Sequence, residues 1–488
     1  MSRAGAAALS PGADWVQRLR LIPAVLAAVA PALLAVAMVL TSGDVKVFLF
    51  LATITVGIVW AVVYWPEFLV IGYFLAGRYG FEDRLAPGEL PFSANQVAFV
   101  AVLALLAIHG RHVIAVMRTW TMSFLILFTA ILTLGILWSR GPEYGTYKVL
   151  HTLFVVLPSS LVMLALVHRR RSLVPFLAAL FGLGLGLDLV GLATFETSVQ
   201  VGRLTSLGSG PIVLARVVGA ALLVSVIGGI HFLRTPERRW WELGLGIGGL
   251  LASLPLFAGF VLTQSRGPAV ALVLALGIYA AISFATDWRR LVAIAGLTAA
   301  ALVGADYVIN EFAAWSRFDM EHPANMVSLD GRREMLNLSL AVVLEAPIFG
   351  VGTGGWPVAV YGLDMRTYPH NFFVEIAAEH GVVITGLLAA LFLGVVARWV
   401  PAYRRADHED RSLLVLTLVL FVYLFANIQF SGDLIDNRLI WILLGAMELS
   451  MAFSAAPRGD PGVLLASDPR ATEEIDADPT GDVGPPGT

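Results

Sequence analysis

The 488-residue sequence contains no cysteine, which excludes disulfides, thiolate metal sites and cysteine nucleophiles at once. Lysine is almost absent as well, because Lys46 and Lys148 are the only two and every other basic residue is an arginine. Charged residues make up only 14% of the chain and its formal net charge is -3, so nothing indicates a basic surface for nucleic acid.

Hydrophobic residues are what the chain has in excess, at 58% of the sequence. Apolar runs long enough to cross about 30 Å of hydrocarbon recur along most of its length, which predicts an all-α polytopic integral membrane protein of about 12–14 transmembrane helices. The predicted spans are 21–40, 45–63, 66–79, 95–108, 121–138, 148–167, 173–194, 211–232, 242–263, 267–286, 290–308, 371–397, 412–430 and 437–454.

Arginine-rich turns fall on alternate connections between these spans, so the positive-inside rule predicts that both termini are cytoplasmic. The predicted regions are a cytoplasmic N-terminal tail (1–20), a transmembrane helical region (21–308), a large extracytoplasmic loop (309–370), C-terminal transmembrane helices (371–454) and a disordered acidic cytoplasmic tail (455–488). Within the loop, the apolar spacing from Arg332 to Glu345 predicts an amphipathic helix at the membrane surface, followed by a glycine-rich turn at 350–355.

Several arginines are predicted at span ends on the extracytoplasmic side, where the positive-inside rule disfavours them. They are Arg203, Arg216, Arg266, Arg332 and Arg438. Each alone could anchor to lipid phosphate. Several converging guanidinium groups, by contrast, could hold a pyrophosphate without a metal ion, because their fixed donor geometry suits phosphate oxygens.

A His-Asn pair opens the predicted span 371–397. His370 is expected at the membrane surface, either as a proton acceptor or as a simple helix cap. Asn371, Glu375 and Glu379 share one helical face, and Glu379 is expected about 12 Å below the start of the helix. A carboxylate at that depth must be protonated or paired, and an extracytoplasmic arginine is the expected partner. A purely structural buried ion pair is the alternative.

These motifs together resemble the O-antigen ligase/polymerase family, over roughly residues 200–390. The matching segments are Ser265-Arg266-Gly267, Gly331-Arg332, Pro347-Ile-Phe-Gly350-Val-Gly352, His370-Asn371, Glu379-His380-Gly381, and the upstream Arg203, Gly210-Pro211 and Arg216. The resemblance implies a GT-C-like membrane glycosyltransferase of the bacterial inner membrane. Its active site would face the periplasm, and it would invert the anomeric centre without a metal or other cofactor.

The resemblance also implies partners and roles. The donor is a glycan linked to polyprenyl (undecaprenyl) pyrophosphate, the acceptor is a glycan or lipid A-core, and membrane lipids surround the protein. Arg216, Arg266 and Arg203 would bind the pyrophosphate, and His370 would orient or deprotonate the acceptor hydroxyl, with Glu379 as the other candidate base. Arg332, Asn371 and the glycine-rich turn would form the acceptor side and roof of the site.

Other functions stay open at this point. A repeat-unit polymerase uses the same donor chemistry as a ligase, and the site residues do not separate the two. A secondary transporter or lipid flippase is disfavoured because no repeated half with matching broken helices is evident. A structural scaffold would leave the extracytoplasmic arginines unexplained.

Overall fold

The computed structural model describes residues 110–455 apart from 168–169, 195–198, 201, 208, 235–239, 285–322, 433 and 436, together with Val70, Ile71 and Phe74. The predicted spans 21–40, 45–63, 95–108 and 290–308, most of 66–79, and the tail segments 1–20 and 456–488 lie outside the described residues.

The described chain is almost entirely helical. Its helices are α1 (Gly110–Met117), α2 (Trp120–Leu134), α3 (Pro142–His151), α4 (Leu157–Leu166), α5 (Arg170–Ala193), α6 (Pro211–Arg234), α7 (Trp240–Leu262), α8 (Arg266–Phe284), α9 (Pro323–Glu345), α10 (Trp356–Tyr361), α11 (Phe372–Arg405), α12 (His408–Ile428) and α13 (Arg438–Ala455). A 3-10 turn (Gly135–Trp138) extends α2, and a π-helical turn (Thr152–Val156) joins α3 to α4. The two-residue strands β1 (Val199–Gln200) and β2 (Arg203–Leu204) pair antiparallel.

Nine helices in this part of the chain are long and apolar enough to span a membrane, which confirms an all-α polytopic membrane protein. Each falls on one of the predicted spans. They are Trp120–Trp138, Pro142–Ala165, Leu173–Ala193, Pro211–Arg234, Glu242–Leu262, Arg266–Ser283, Phe372–Arg405, His408–Ile428 and Arg438–Ala455.

The centre of the bundle is formed by α6, α12 and α13, whose side chains are buried along most of their length. Helix α7 instead exposes leucines such as Leu245, Leu251 and Leu254 on its outer side. In water such a face would be unfavourable, but lipid tails are as apolar as leucine. The outer helices therefore present their leucines to the bilayer.

Helix α11 is not a single straight span. The ring of Phe372 lies 6.4 Å from that of Phe392, although a straight helix would separate these residues by about 30 Å. The reversal occurs at Gly381, whose backbone is non-helical with φ 79° and ψ 173°. We call residues 372–380 the short arm and residues 382–405 the long arm. Because the arms fold back on each other, the first residue of α11 lies inside the bundle.

The reversal at Gly381 is possible because the glycine-rich turn completes its hydrogen bonds. Val351 N–H donates to Ala378 O at 3.0 Å, and Gly352 N–H donates to Glu379 O at 2.9 Å. Pro347 O accepts from Val382 N–H at 2.8 Å. A break in a membrane helix leaves backbone groups that water cannot satisfy, so a second segment must pair with them. The Pro-x-x-Gly-x-Gly and Glu-x-Gly motifs are thus the two halves of one joint.

At the far end of the long arm lies a polar clamp. Arg398 donates two hydrogen bonds to Glu448, both at 2.7 Å, and stacks 4.6 Å from the ring centre of Trp120. Thr121 donates to the same carboxylate at 2.7 Å. About 25 Å of helix separates Gly381 from Arg398, so the long arm alone is long enough to cross most of a bilayer.

Candidate functional site

Three separate motifs of the sequence meet at the turn formed by residues 429–432, which we call the hub turn. Arg216 of α6 donates through Nη2 to Ser431 O at 2.5 Å. Asn371 donates through Nδ2 to Gln429 O at 3.1 Å. Gly267, at the start of α8, lies against Phe430, where a Cβ atom would come within 2.7 Å of the phenylalanine Cβ. The hub turn therefore gathers α6, α8 and α11 around one point.

Arg216 reaches the hub turn from within the first two turns of α6. Its side chain is buried, and Gly432 lies beside the guanidinium with φ +85°, a conformation that favours glycine. A Cβ atom on Gly432 would come within 3.2 Å of Arg216 Nη2. Arg216, Asn427 and Asn437 also line one small cavity beside the turn. The backbone here is shaped to admit an arginine head group.

Arg203 in β2 and Arg266 at the start of α8 adjoin the turn formed by residues 263–265. Arg203 donates through Nε to Thr263 O at 2.9 Å and through Nη2 to Ser265 Oγ at 3.0 Å. Its guanidinium therefore holds the turn that presents Arg266, the partly exposed first residue of α8. The structure brings the two predicted arginines together, with Arg203 acting on the loop.

The His-Asn pair lies at the foot of the short arm. Asn371 is the N-cap of α11, where its Oδ1 accepts from Val374 N–H at 3.0 Å. His370 precedes Asn371 and has φ +59°, a strained conformation for a non-glycine residue. The Tyr368 ring packs edge-on against the His370 ring, with their centres 4.7 Å apart. Backbone strain of this kind is concentrated at functional sites.

The surroundings of His370 favour the neutral form of its imidazole. Burial, and after it the positive charge of Arg332, lower the pKa of His370 below its ordinary value. Its Nδ1 atom is buried and has no hydrogen-bond partner among the residues that the structure describes. A neutral imidazole is the form of histidine that can act as a general base.

The prediction of an arginine partner for Glu379 was wrong. The partner is Lys148, whose Nζ lies 2.7 Å from Oε1 and 2.8 Å from Oε2 of Glu379. The same Nζ lies 2.5 Å from Oε1 of Glu375, and all three side chains are only 1% exposed. Glu379 is thus paired, as a charged carboxylate inside a predicted span must be. The one signal for this pairing was Lys148 itself, a lone lysine in an apolar span.

The expected order of depth along α11 was also wrong. Because Gly381 reverses the helix, Glu379 lies close to the apex of the hairpin, and Asn371 lies about 13 Å along the short arm towards the clamp end. His370 is consequently recessed within the bundle instead of standing above Glu379. Nothing in the spacing of residues 371–397 distinguishes Gly381 from a glycine inside one continuous helix.

The glycine-rich turn is part of the packed interior. Thr353 is fully buried and donates through Oγ1 to Leu132 O at 2.6 Å, while Ser139 Oγ donates to Thr353 O at 2.7 Å. Gly352 adopts φ +85° where a side chain would collide with the Ser139 backbone. The turn therefore joins α2, α3 and the apex of α11. Its predicted role as a roof over the substrates stays a prediction.

Arg332 and Arg438 complete the predicted set of arginines. Arg332 lies on α9, near enough to His370 for its charge to act on the imidazole. Arg438 begins α13 beside the hub turn, and its Nη2 lies 3.4 Å from Nε2 of His151. Both arginines could be predicted from the sequence. His151 and the hub turn could not, because their residues belong to no recognised motif.

The fold and this site define a polytopic helical membrane protein whose arginines, histidine and asparagine converge at one end of the bundle. Residues 250–389 match the family model described as O-antigen ligase, which confirms the resemblance found in the sequence. The match includes the Arg266 loop, the glycine-rich turn, the His-Asn pair and Glu379, and it ends before the hub turn. None of the curated proteins matches this chain.

Proposed function

We propose that this protein is a membrane glycosyltransferase of the O-antigen ligase type. It transfers a glycan from a polyprenyl-pyrophosphate donor to a hydroxyl group of a glycan or lipid A-core acceptor. The observation that carries the proposal is the hub turn, where Arg216, the Arg266 loop and Asn371 meet beside His370. The leaving pyrophosphate needs a cluster of cations that stabilises its negative charge. The acceptor hydroxyl needs a neutral base that accepts its proton.

The arginines stabilise the pyrophosphate leaving group. When the bond between the anomeric carbon and the pyrophosphate oxygen breaks, its electron pair stays on the pyrophosphate and negative charge increases there. Arg216 and Arg266 stabilise this charge through charge-assisted hydrogen bonds, which are strongest where water is excluded. Arg203 supports them by holding the 263–265 backbone.

His370 is the base that deprotonates the acceptor hydroxyl. The acceptor oxygen attacks the anomeric carbon from the face opposite the pyrophosphate, and its proton passes to the imidazole, so the configuration inverts in one displacement. Glu379 is the weaker candidate because both of its oxygens accept from Lys148 and its side chain is 1% exposed. Asn371 orients the start of the short arm through its bond to Gln429.

The positive-inside pattern supports an inner-membrane protein with cytoplasmic termini and a site that faces the periplasm. Because arginines neutralise the pyrophosphate, the proposed reaction proceeds without a metal ion. The polyprenyl chain of the donor stays in the bilayer and enters between helices.

A polymerase that links repeat units is the second candidate, since it uses the same donor and differs only in its acceptor. Reconstitution in lipid nanodiscs separates the two. The protein receives a polyprenyl-pyrophosphate oligosaccharide matched to the source organism, first alone and then with a lipid A-core acceptor, and products are read by mass spectrometry. Transfer that requires the added acceptor supports a ligase, and a ladder of repeat units from donor alone supports a polymerase. No product in either reaction contradicts the proposal.

A further inference from the structure

We propose that Lys148 is a positioning residue for the proposed glycosyl transfer, acting through the short arm of α11. This inference rests on the proposed function for the role of His370. The effect of Lys148 passes through Glu375 and Glu379, and so through the segment that begins with the His-Asn pair.

Lys148 contacts the short arm at two residues, Glu375 and Glu379. One ammonium group bonds both oxygens of Glu379 near the apex and lies 2.5 Å from Glu375, one turn above Asn371. Carboxylates four residues apart project from the same face of a helix, so a single cation can bind both. The short arm is thereby fixed to α3 at two successive turns.

This ion cluster sits where water cannot replace it. With all three side chains 1% exposed, removal of the lysine leaves two carboxylates facing each other in the interior. A buried ion that loses its partner strongly destabilises its surroundings, and the arm can relieve the charge by moving towards water. The position of the short arm therefore depends on Lys148.

Movement of the short arm acts directly on the proposed site. The arm is only nine residues long and begins next to Asn371, whose bond to Gln429 ties it to the hub turn. His370 precedes this residue in a strained conformation that only its surroundings maintain. The arginines, by contrast, stand on α6 and α8. Displacing the arm separates the base from the leaving-group site and leaves the arginines in place.

The first test compares the kinetics of Lys148→Met and Lys148→Arg in nanodiscs. We expect Lys148→Met to lower kcat by about 100-fold, because small displacements of a catalytic group cost rate on this scale. KM for the donor should change by no more than about twofold, since donor contacts lie on other helices. Lys148→Arg keeps the charge and should recover much of the rate. A wild-type kcat in Lys148→Met contradicts the proposal.

Charge imbalance alone could make Lys148→Met fold poorly, so a neutral triple variant is needed. Lys148→Met combined with Glu375→Gln and Glu379→Gln removes every buried charge of the cluster, so we expect this variant to fold. This variant still lacks the bonds that fix the arm, and we expect its kcat to stay low. A triple variant with wild-type kcat shows that Lys148 merely balances charge and overturns the proposal.

A removable covalent staple tests positioning independently. The chain has no native cysteine, and Val351 and Ala378 have adjacent backbones within one buried apolar cluster. Val351→Cys with Ala378→Cys can therefore link the glycine-rich turn to the short arm. In the Lys148→Met background, oxidation should restore glycan transfer and reduction should abolish it again. The same cysteine pair with native Lys148 is the control, whose activity should not depend on oxidation.

The rate at which this disulfide forms reports on the arm without any enzymatic assay. We expect the disulfide to form more slowly in the Lys148→Met background than in the native background. Equal rates, or no rescue on oxidation, contradict the proposal. If the wild-type protein transfers no glycan, the proposed function fails, while the difference in disulfide rate still decides whether Lys148 positions the arm.

Discussion

The rings of Phe372 and Phe392 lie 6.4 Å apart because Gly381 folds α11 back on itself. This contact places the start of the helix, and with it the His-Asn pair, inside the bundle at the level of the hub turn. A single straight helix through these residues would carry the proposed base away from the arginines. The hairpin is thus the feature on which the geometry of the site depends.

Gly381→Ala should therefore abolish glycan transfer and lower the thermal unfolding temperature. Its φ of +79° is strained for alanine, at a cost of about 1–3 kcal/mol, and the added Cβ collides with the Ile348 carbonyl. Gly386→Ala in the long arm is the matched control, because no heavy atom lies within 4 Å of the added Cβ. Unfolding followed by tryptophan fluorescence and transfer assayed in nanodiscs measure both effects. Equal behaviour of the two variants would argue against the hairpin.

Arg266→Ala should reduce transfer by roughly 100-fold or more while the protein still folds, since removal of one donor to a developing anion costs this much in enzymes. Arg266 is partly exposed, so its loss leaves no cavity in the packed core. Arg333→Ala removes an exposed arginine from α9 and is the control for net charge. Steady-state kinetics of both variants test the assignment, which fails if Arg266→Ala transfers glycan as fast as Arg333→Ala.

The acid limb of the pH-rate profile should lie below the ordinary histidine pKa of about 6.5. Burial and Arg332 disfavour the charged imidazolium, so the neutral base persists to lower pH. Arg332→Gln removes the positive charge, raises the pKa of His370 and moves the acid limb to higher pH. Profiles of kcat/KM for this variant and for the control Arg333→Gln provide the measurement. An acid limb that stays in place in Arg332→Gln contradicts the coupling.

Chelation should leave the reaction unaffected. The proposed mechanism neutralises the pyrophosphate with arginine side chains, so EDTA added to the nanodisc assay should not change the rate. A donor-matched glycosyltransferase that depends on a divalent cation is the positive control. Loss of activity that magnesium restores would refute the arginine mechanism.

The membrane fold could be predicted because apolar runs of span length are visible in composition alone, and nine of the predicted spans have a corresponding helix. The site arginines could also be predicted, since the positive-inside rule disfavours arginines at extracytoplasmic span ends, and the His-Asn pair could be predicted from its place at the start of a span. The reversal at Gly381 could not be predicted, because the sequence around a glycine does not reveal its φ angle. Lys148 lies 231 residues from Glu379, and no local spacing connects them.

The hub turn was missed for a similar reason. Gln429, Phe430 and Ser431 take part mainly through backbone carbonyls or packing, which leave no signature in side-chain chemistry. Only the three-dimensional arrangement shows that this turn connects the Arg216, Arg266 and His370 motifs.

The most direct test of the account measures single-turnover glycan transfer by His370→Ala with donor and acceptor bound in nanodiscs. Loss of a general base typically lowers the rate by about 10²- to 10⁴-fold, and we predict a loss in this range. Donor affinity should stay close to that of the wild type, because the arginines on α6 and α8 are untouched. Transfer at the wild-type rate would contradict the central claim that His370 deprotonates the acceptor.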